Sequence, residues 1–460
     1  MRFRHATHTV SRRTFLGGAA GICLWPGAAG AETGADGFQI ARARRSSAPL
    51  LGPGSPVTET WGFGEEGIPL VIRARQGQAL KLRVVNEFDF ELWLHWFGVR
   101  GPSELMTFNV PPGSGNSFDC VFAPPDAGTF WLGPMADVSR LRDMGLYAML
   151  VVEEREPVAG LGDLALVLDD WKLNDGGGIA GNFGDAETMV GEGRLGNWFT
   201  VNGRYRPRIA LAPGTYTRLR LLNAANARNM GILFKGGDFL LIARDGQPVK
   251  PQQPGQGPLT LAPGQRADLL VLPEADITLA LDLFEDVSEI AYLTRGDGGK
   301  VPDIPENFAL AANPVAKLPG LAAARVVPLV IEGGIGGGLQ SALFQGRQME
   351  LRALIENGMG WAINGMAGPG GPPLVTAKLG EALLFEVSNR TAFDQPLHVH
   401  GHVWRVLQDN VEDAWRDTAV VPAKQSLKLA MVADNPGSWA IQSLVAERAD
   451  GGLLAAFTVE

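Results

Sequence analysis

One phrase recurs three times in this chain and decides what it can fold into. QGQALKLRVVN ends at Asn86, PGTYTRLRLLN at Asn223 and LGEALLFEVSN at Asn389. Each copy sets a glycine nine residues before its asparagine, at Gly77, Gly214 and Gly380. In between, apolar and polar side chains alternate, as with Leu80, Leu82 and Val84 against Lys81 and Arg83. That is the two-residue period of a half-buried strand opened by a glycine turn. Three copies predict three related β domains.

Smaller repeats agree. FTVNG (199–203) and WAING (361–365) precede the second and third copies, and Pro112-Gly113, Pro263-Gly264 and Pro422-Ala423 follow the three copies as turns. Strands at roughly 8–12-residue spacing with such turns predict an all-β chain of three consecutive Greek-key sandwich or barrel domains. The expected boundaries are 32–155, 156–320 and 321–460, the last falling in IPENFALAANPVAKLPG, read as an exposed connection. The 60 glycines and 31 prolines are spread through alternating segments, so they mark turns rather than disorder.

The N-terminus reads as an address. SRRTFLGGAAGICLWPGAAGAE carries Arg12 and Arg13 before an apolar run and ends in the small-x-small triplet Ala29-Gly30-Ala31. The Ser-Arg-Arg-x-Phe-Leu pattern resembles a twin-arginine signal, which predicts that residues 1–31 direct export to the periplasm and are cut near Ala31. The run is too short and glycine-rich for a transmembrane anchor. Cutting there removes four arginines from a chain already at net charge −9, so nucleic acid and anionic lipid are poor partners. A monomer that binds periplasmic protein partners is expected. Cys23 leaves with the signal; Cys120 then stands alone, cannot form an intrachain disulfide, and reads as a small buried hydrophobe.

Several catalytic classes fall away. The glycine runs DGGGIAGNFGD (175–185) and EGGIGGGL (332–339) lack the Lys-Ser/Thr of a phosphate cradle. Asp169 and Asp170 are neighbours on a strand and point to opposite faces. What remains is histidine. PLHVHGHVWRVL (396–407) places His398, His400 and His402 at alternate positions, and outside the signal the only other histidine is His95. Alternation lets the three converge on one ion, and imidazole suits copper, zinc, nickel and iron alike. The competing reading is a set of buried polar remnants bonded to backbone or water.

Five segments in order along the chain, LHWFG (94–98), GTFWLGPM (128–135), LVLDDW (166–171), QPLHVHGHVWRV (395–406) and GSWAIQSLVAERADGGL (437–453), resemble the three-cupredoxin-domain multicopper oxidases, the superfamily of laccases and cuprous oxidases. The resemblance implies a type 1 copper, which draws electrons from substrate, at Gln395, Ser443, Arg448 and Leu453; none supplies the thiolate such a centre needs. One type 3 copper maps to Phe97, Gly133 and Leu444, which offer no side-chain donor. The other maps to His400, Met135 and Gln442, and the type 2 copper to His95 and His398. A complete member uses about ten histidines, so laccase-type turnover is not expected. The resemblance leaves ligands for at most one residual copper ion, His95, His398 and His400 with Met135 as a weak donor; His402 is not a ligand position. The implied function is a non-oxidase binding or scaffold protein, similar to the copper-free, twin-arginine-exported cell-division branch, with a one-copper oxidoreductase or copper-handling protein as the alternative.

Overall fold

The computed structural model describes residues 29–158, 160–253, 257–272, 275–296, 308–408, 411–412 and 414–460. The signal up to residue 28 lies outside the described residues; Ala29–Gly30 pairs in parallel with Leu70 and Val71.

The three-fold phrase forms the same strand three times. Leu80–Asn86, Tyr216–Asn223 and Ala382–Asn389 each run parallel to an earlier strand on one side and antiparallel to a later one on the other. Each repeat glycine takes a left-handed backbone, with φ of 72°, 68° and 84° at Gly77, Gly214 and Gly380. A side chain would be strained there, which is why the turn keeps glycine.

The closing asparagine staples a loop. Asn86 is fully buried; its Nδ2 donates to the carbonyls of Phe90, Val110 and Pro111, and its Oδ1 accepts from Phe88 N–H. Asn389 does the same with Phe393, Val421, Pro422 and Thr391, and Asn223 with Arg228, Leu261 and Ala225. A short amide satisfies buried backbone on two neighbouring segments at once, where an apolar residue would leave several groups unpaired. Asn202 and Asn364, from FTVNG and WAING, likewise bridge backbone groups of the adjoining strand from left-handed conformations.

Each domain is a pair of facing sheets, and the described helices are short turns, the longest Val138–Asp143 and Leu351–Glu356. No described helix is long and apolar enough to cross a membrane. The first and third domains share one contiguous apolar core, from Ala41 through Val459, while the second has its own. A smaller cluster holding Phe97, Trp131, Val167, Leu222 and Leu444 joins all three.

Two sequence expectations change. The strand Tyr216–Asn223 is buried along its whole length rather than half-buried. Its polar residues Arg218 and Arg220 have buried partners on both sides of the domain boundary: Arg218 pairs with Asp268 of its own domain and Glu154 of the first at 2.6 Å each, and Arg220 pairs with Asp163 of its own domain and donates to Thr129 Oγ1 of the first. The domain interface covers the face that alternation assigned to water. The stretch before residue 320, expected as an exposed connection, is exposed along much of its described length but anchored: Leu310 is buried, and Asn313 exchanges hydrogen bonds with Ala127 N–H and C=O and donates to Gly246 C=O.

Candidate metal centre

Three histidines meet where the first and third domains join. His95 lies on the strand Leu92–Phe97 and His398 on Gln395–Val399, while His400 follows that strand. Each offers one ring nitrogen such that all three atoms lie within 4.8 Å of one another. The rings of His95 and His400 stack at 3.8 Å, and His398 sits 5.4 Å from His400. All three are essentially inaccessible to solvent.

The outer nitrogens explain the orientation. His95 Nδ1 meets Thr107 Oγ1 at 2.7 Å, across a strand pair that sets His95 opposite Thr107. His398 Nδ1 meets Asp417 Oδ1 and Thr418 Oγ1 at 3.1 Å each, because the register sets His398 opposite Thr418. Donation from Nδ1 to a carboxylate leaves the lone pair on Nε2. The Nε2 atoms of His95, His398 and His400 are all buried without a hydrogen-bond partner. Burial, then the neighbouring imidazoles, holds His95 and His400 well below their ordinary pKa, so both are neutral and each keeps a lone pair on one ring nitrogen. Three partnerless acceptors aimed at one point are costly in a dry core, and a cation resolves all three together. The donor set fits a copper ion.

His402 does not join them. The strand ends at Val399, so the alternation stops, and His402 Nδ1 bonds to His400 C=O at 3.0 Å while its Nε2 accepts from Asn435 N–H. Burial pushes its pKa down to about 4.

Beside the trio the space is apolar. Phe97 stacks on Trp131 at 3.9 Å with ring planes 8° apart, Leu444 joins them, and half-buried Met135 packs against the group. Gly133 lies under the Trp131 ring, which would collide with any Cβ there. Side chains therefore fill the volume around Phe97, Gly133 and Leu444, the positions mapped to the type 3 copper without side-chain donors.

The positions assigned to a type 1 centre form a separate neighbourhood. Gln395, Ser443, Arg448 and Leu453 are all buried. The Arg448 guanidinium donates to Gln395 Oε1 at 3.1 Å and to Asp394 C=O at 2.6 Å, and sits 5.1 Å and 5.0 Å from the ring centroids of Trp361 and Phe393. Burial lowers its pKa to about 10, still a cation at neutral pH. Ser443 Oγ accepts from Val445 N–H, and Leu453 lies in the shared core. Cys120 is buried in the first domain, its thiol pushed up to about 11 by burial.

Sequence reasoning did not find Thr107, Asp417 or Arg266. Asp417 follows Trp415-Arg416 in WRDT, an acid just before a strand, and only strand register reveals that it faces a histidine. Arg266, from the second domain, donates to both Asp417 oxygens.

Family models described as multicopper oxidase match residues 50–157, 166–278 and 345–460. The multicopper oxidase MmcO of Mycobacterium tuberculosis is 26% identical, the alignment covering 93% of this chain and 92% of that protein. The cell division protein FtsP of Xenorhabdus nematophila is 30% identical over 47% of each chain. Among solved structures, a multi-copper oxidase from Pseudomonas thermotolerans superposes with a TM-score of 0.78 and 31% identity, over 94% of this chain and 100% of that one. Three matched domains in order, a relative matched along its full length and the histidine pair between first and third domains lead to one conclusion: the chain belongs to the multicopper oxidase family.

Proposed function

We propose that this is a periplasmic binding or scaffold protein of the multicopper oxidase family that holds one copper ion and does not carry out four-copper oxidase turnover. The cluster of three partnerless imidazole nitrogens carries the copper part. Bound there, copper supplies a redox-active Lewis acid. Arg448 supports the loss of oxidase turnover: a fixed cation bonded to Gln395 takes the place of ligands, and Ser443 brings a hydroxyl where a thiolate is required. Without a thiolate centre, electrons from a phenol have no soft-donor route into the protein.

The scaffold part rests on the similarity to cell division proteins, which spans about half of this chain, and on the twin-arginine pattern at the N-terminus. A role in division or envelope stress follows as the specific form of this reading. Complementation of a strain lacking its FtsP-type protein tests it: restored septation is expected, and a chain that is exported but leaves the defect intact contradicts it. Copper loading tests the site. One equivalent per chain is expected, lost in His95→Ala and His398→Ala, with a melting temperature that rises with free copper. No bound copper contradicts it.

A further inference from the structure

We infer that Arg266 of the second domain is a positioning residue for the histidine centre, so that copper affinity depends on how the second domain docks. The inference rests on the copper reading above and concerns a residue on no strand of the two domains that supply the histidines.

Arg266 opens the strand Arg266–Leu272 and is wholly buried. Its Nε donates to Thr129 C=O at 3.2 Å in the first domain, and Nη1 to Gly264 C=O at 3.0 Å. Nη1 and Nη2 then grip both oxygens of Asp417 in the third domain, Oδ1 at 3.1 Å. Asp245 anchors the base of the side chain, its Oδ1 accepting from Arg266 N–H at 3.0 Å. One planar side chain thus touches all three domains.

The first domain makes room for this grip. Gly98 has φ of +85°, and a Cβ there would overlap Arg266 Nη2 and Asp417 Oδ2. The glycine of LHWFG, three residues after His95, is therefore where the ion pair passes. A forked guanidinium fixes both position and plane of a carboxylate, which a point charge cannot do. Held this way, Asp417 Oδ1 faces His398 Nδ1 and accepts a hydrogen bond from its N–H, so Nε2 presents a lone pair to the other two histidines. Released, the carboxylate can turn away, and His398 is free to take the other tautomer or rotate. Outer partners of this kind change metal affinity by about 10–100-fold.

The test uses the full chain loaded with copper(II) alone, measuring affinity by competition with a chelator and the number of coupled nitrogens by electron paramagnetic resonance. The wild type should show three coupled nitrogens. Arg266→Met should bind copper about 10–100-fold more weakly and lose one nitrogen from the pattern, and Arg266→Lys should recover part of the affinity. Asp417→Asn, whose amide can donate toward Nδ1, provides the same readout if Arg266→Met does not fold. Wild-type affinity and a three-nitrogen pattern in Arg266→Met and Asp417→Asn would overturn the inference while leaving the copper site standing. A wild type that binds no copper would remove both.

Discussion

Two regions to which the third domain contributes answer the same question in opposite ways. At the histidine centre, three buried acceptors point inward with no donor among them, so the region is incomplete without a cation. At the Arg448 site the cation is part of the chain: the guanidinium supplies donors, and Gln395 Oε1 and Asp394 C=O accept from it. The first region keeps an unmet demand for charge and the second has satisfied it covalently. A fixed cation at the second region keeps the electrostatics that the surrounding carbonyls require, where an apolar residue would strand them.

If the comparison holds, damage to the second region appears in folding and damage to the first in copper binding. Arg448→Ala should cost about 3–5 kcal/mol of stability, because it leaves buried carbonyls unpaired and a void between Trp361 and Phe393; denaturant unfolding measures this, and copper binding by the folded fraction should persist. His398→Ala should reverse the pattern. Copper affinity should fall more than about 100-fold, roughly 2.7 kcal/mol, with the copper-free protein's melting temperature changing far less than in Arg448→Ala. Equal effects of both substitutions on both readouts would erase the distinction.

Gly98→Ala sharpens the boundary. It forces a methyl against the Arg266–Asp417 pair at a left-handed backbone position, and should cost about 1–3 kcal/mol of stability while weakening copper binding. A smaller effect belongs to the Arg448 side, where pH enters through Asp450 at the end of the helix Ala446–Asp450. Burial raises its carboxyl to about 6, against the donated Val138 and Ser139 N–H groups. With the folded pKa raised above the unfolded value, its stabilisation is complete below about pH 4 and is lost as pH rises through 6. Asp450→Asn should flatten that decline between pH 4 and 6 by about 1–3 kcal/mol, measured by urea unfolding across the range. An unchanged slope would show that Asp450 is not its source.

The repeat was legible because its glycine and asparagine act locally: a left-handed turn and an amide that staples the adjoining loop need only nearby chain, so Gly77 and Asn86 announce themselves. Arg218 and Arg220 misled for the opposite reason. Their partners Glu154 and Asp163 lie on segments remote in sequence, and alternation cannot tell a solvent face from one covered by a neighbouring domain. At the centre, histidine type and spacing pointed to His398 and His400, and the resemblance added His95. The rest was hidden in register. Nothing in WRDT states that Asp417 lies beside His398, or that Arg266 reaches it from another domain; alternation alone would have grouped His402 with His398 and His400, the resemblance left it out, and the strand does end at Val399.

Copper stoichiometry together with the absorption spectrum of the purified, copper-loaded chain tests the central claim most directly. The account predicts a single copper bound through three imidazole nitrogens, an almost colourless solution and no oxygen uptake with a phenolic reductant. Several coppers per chain, an intense blue thiolate band and sustained oxygen consumption would contradict it.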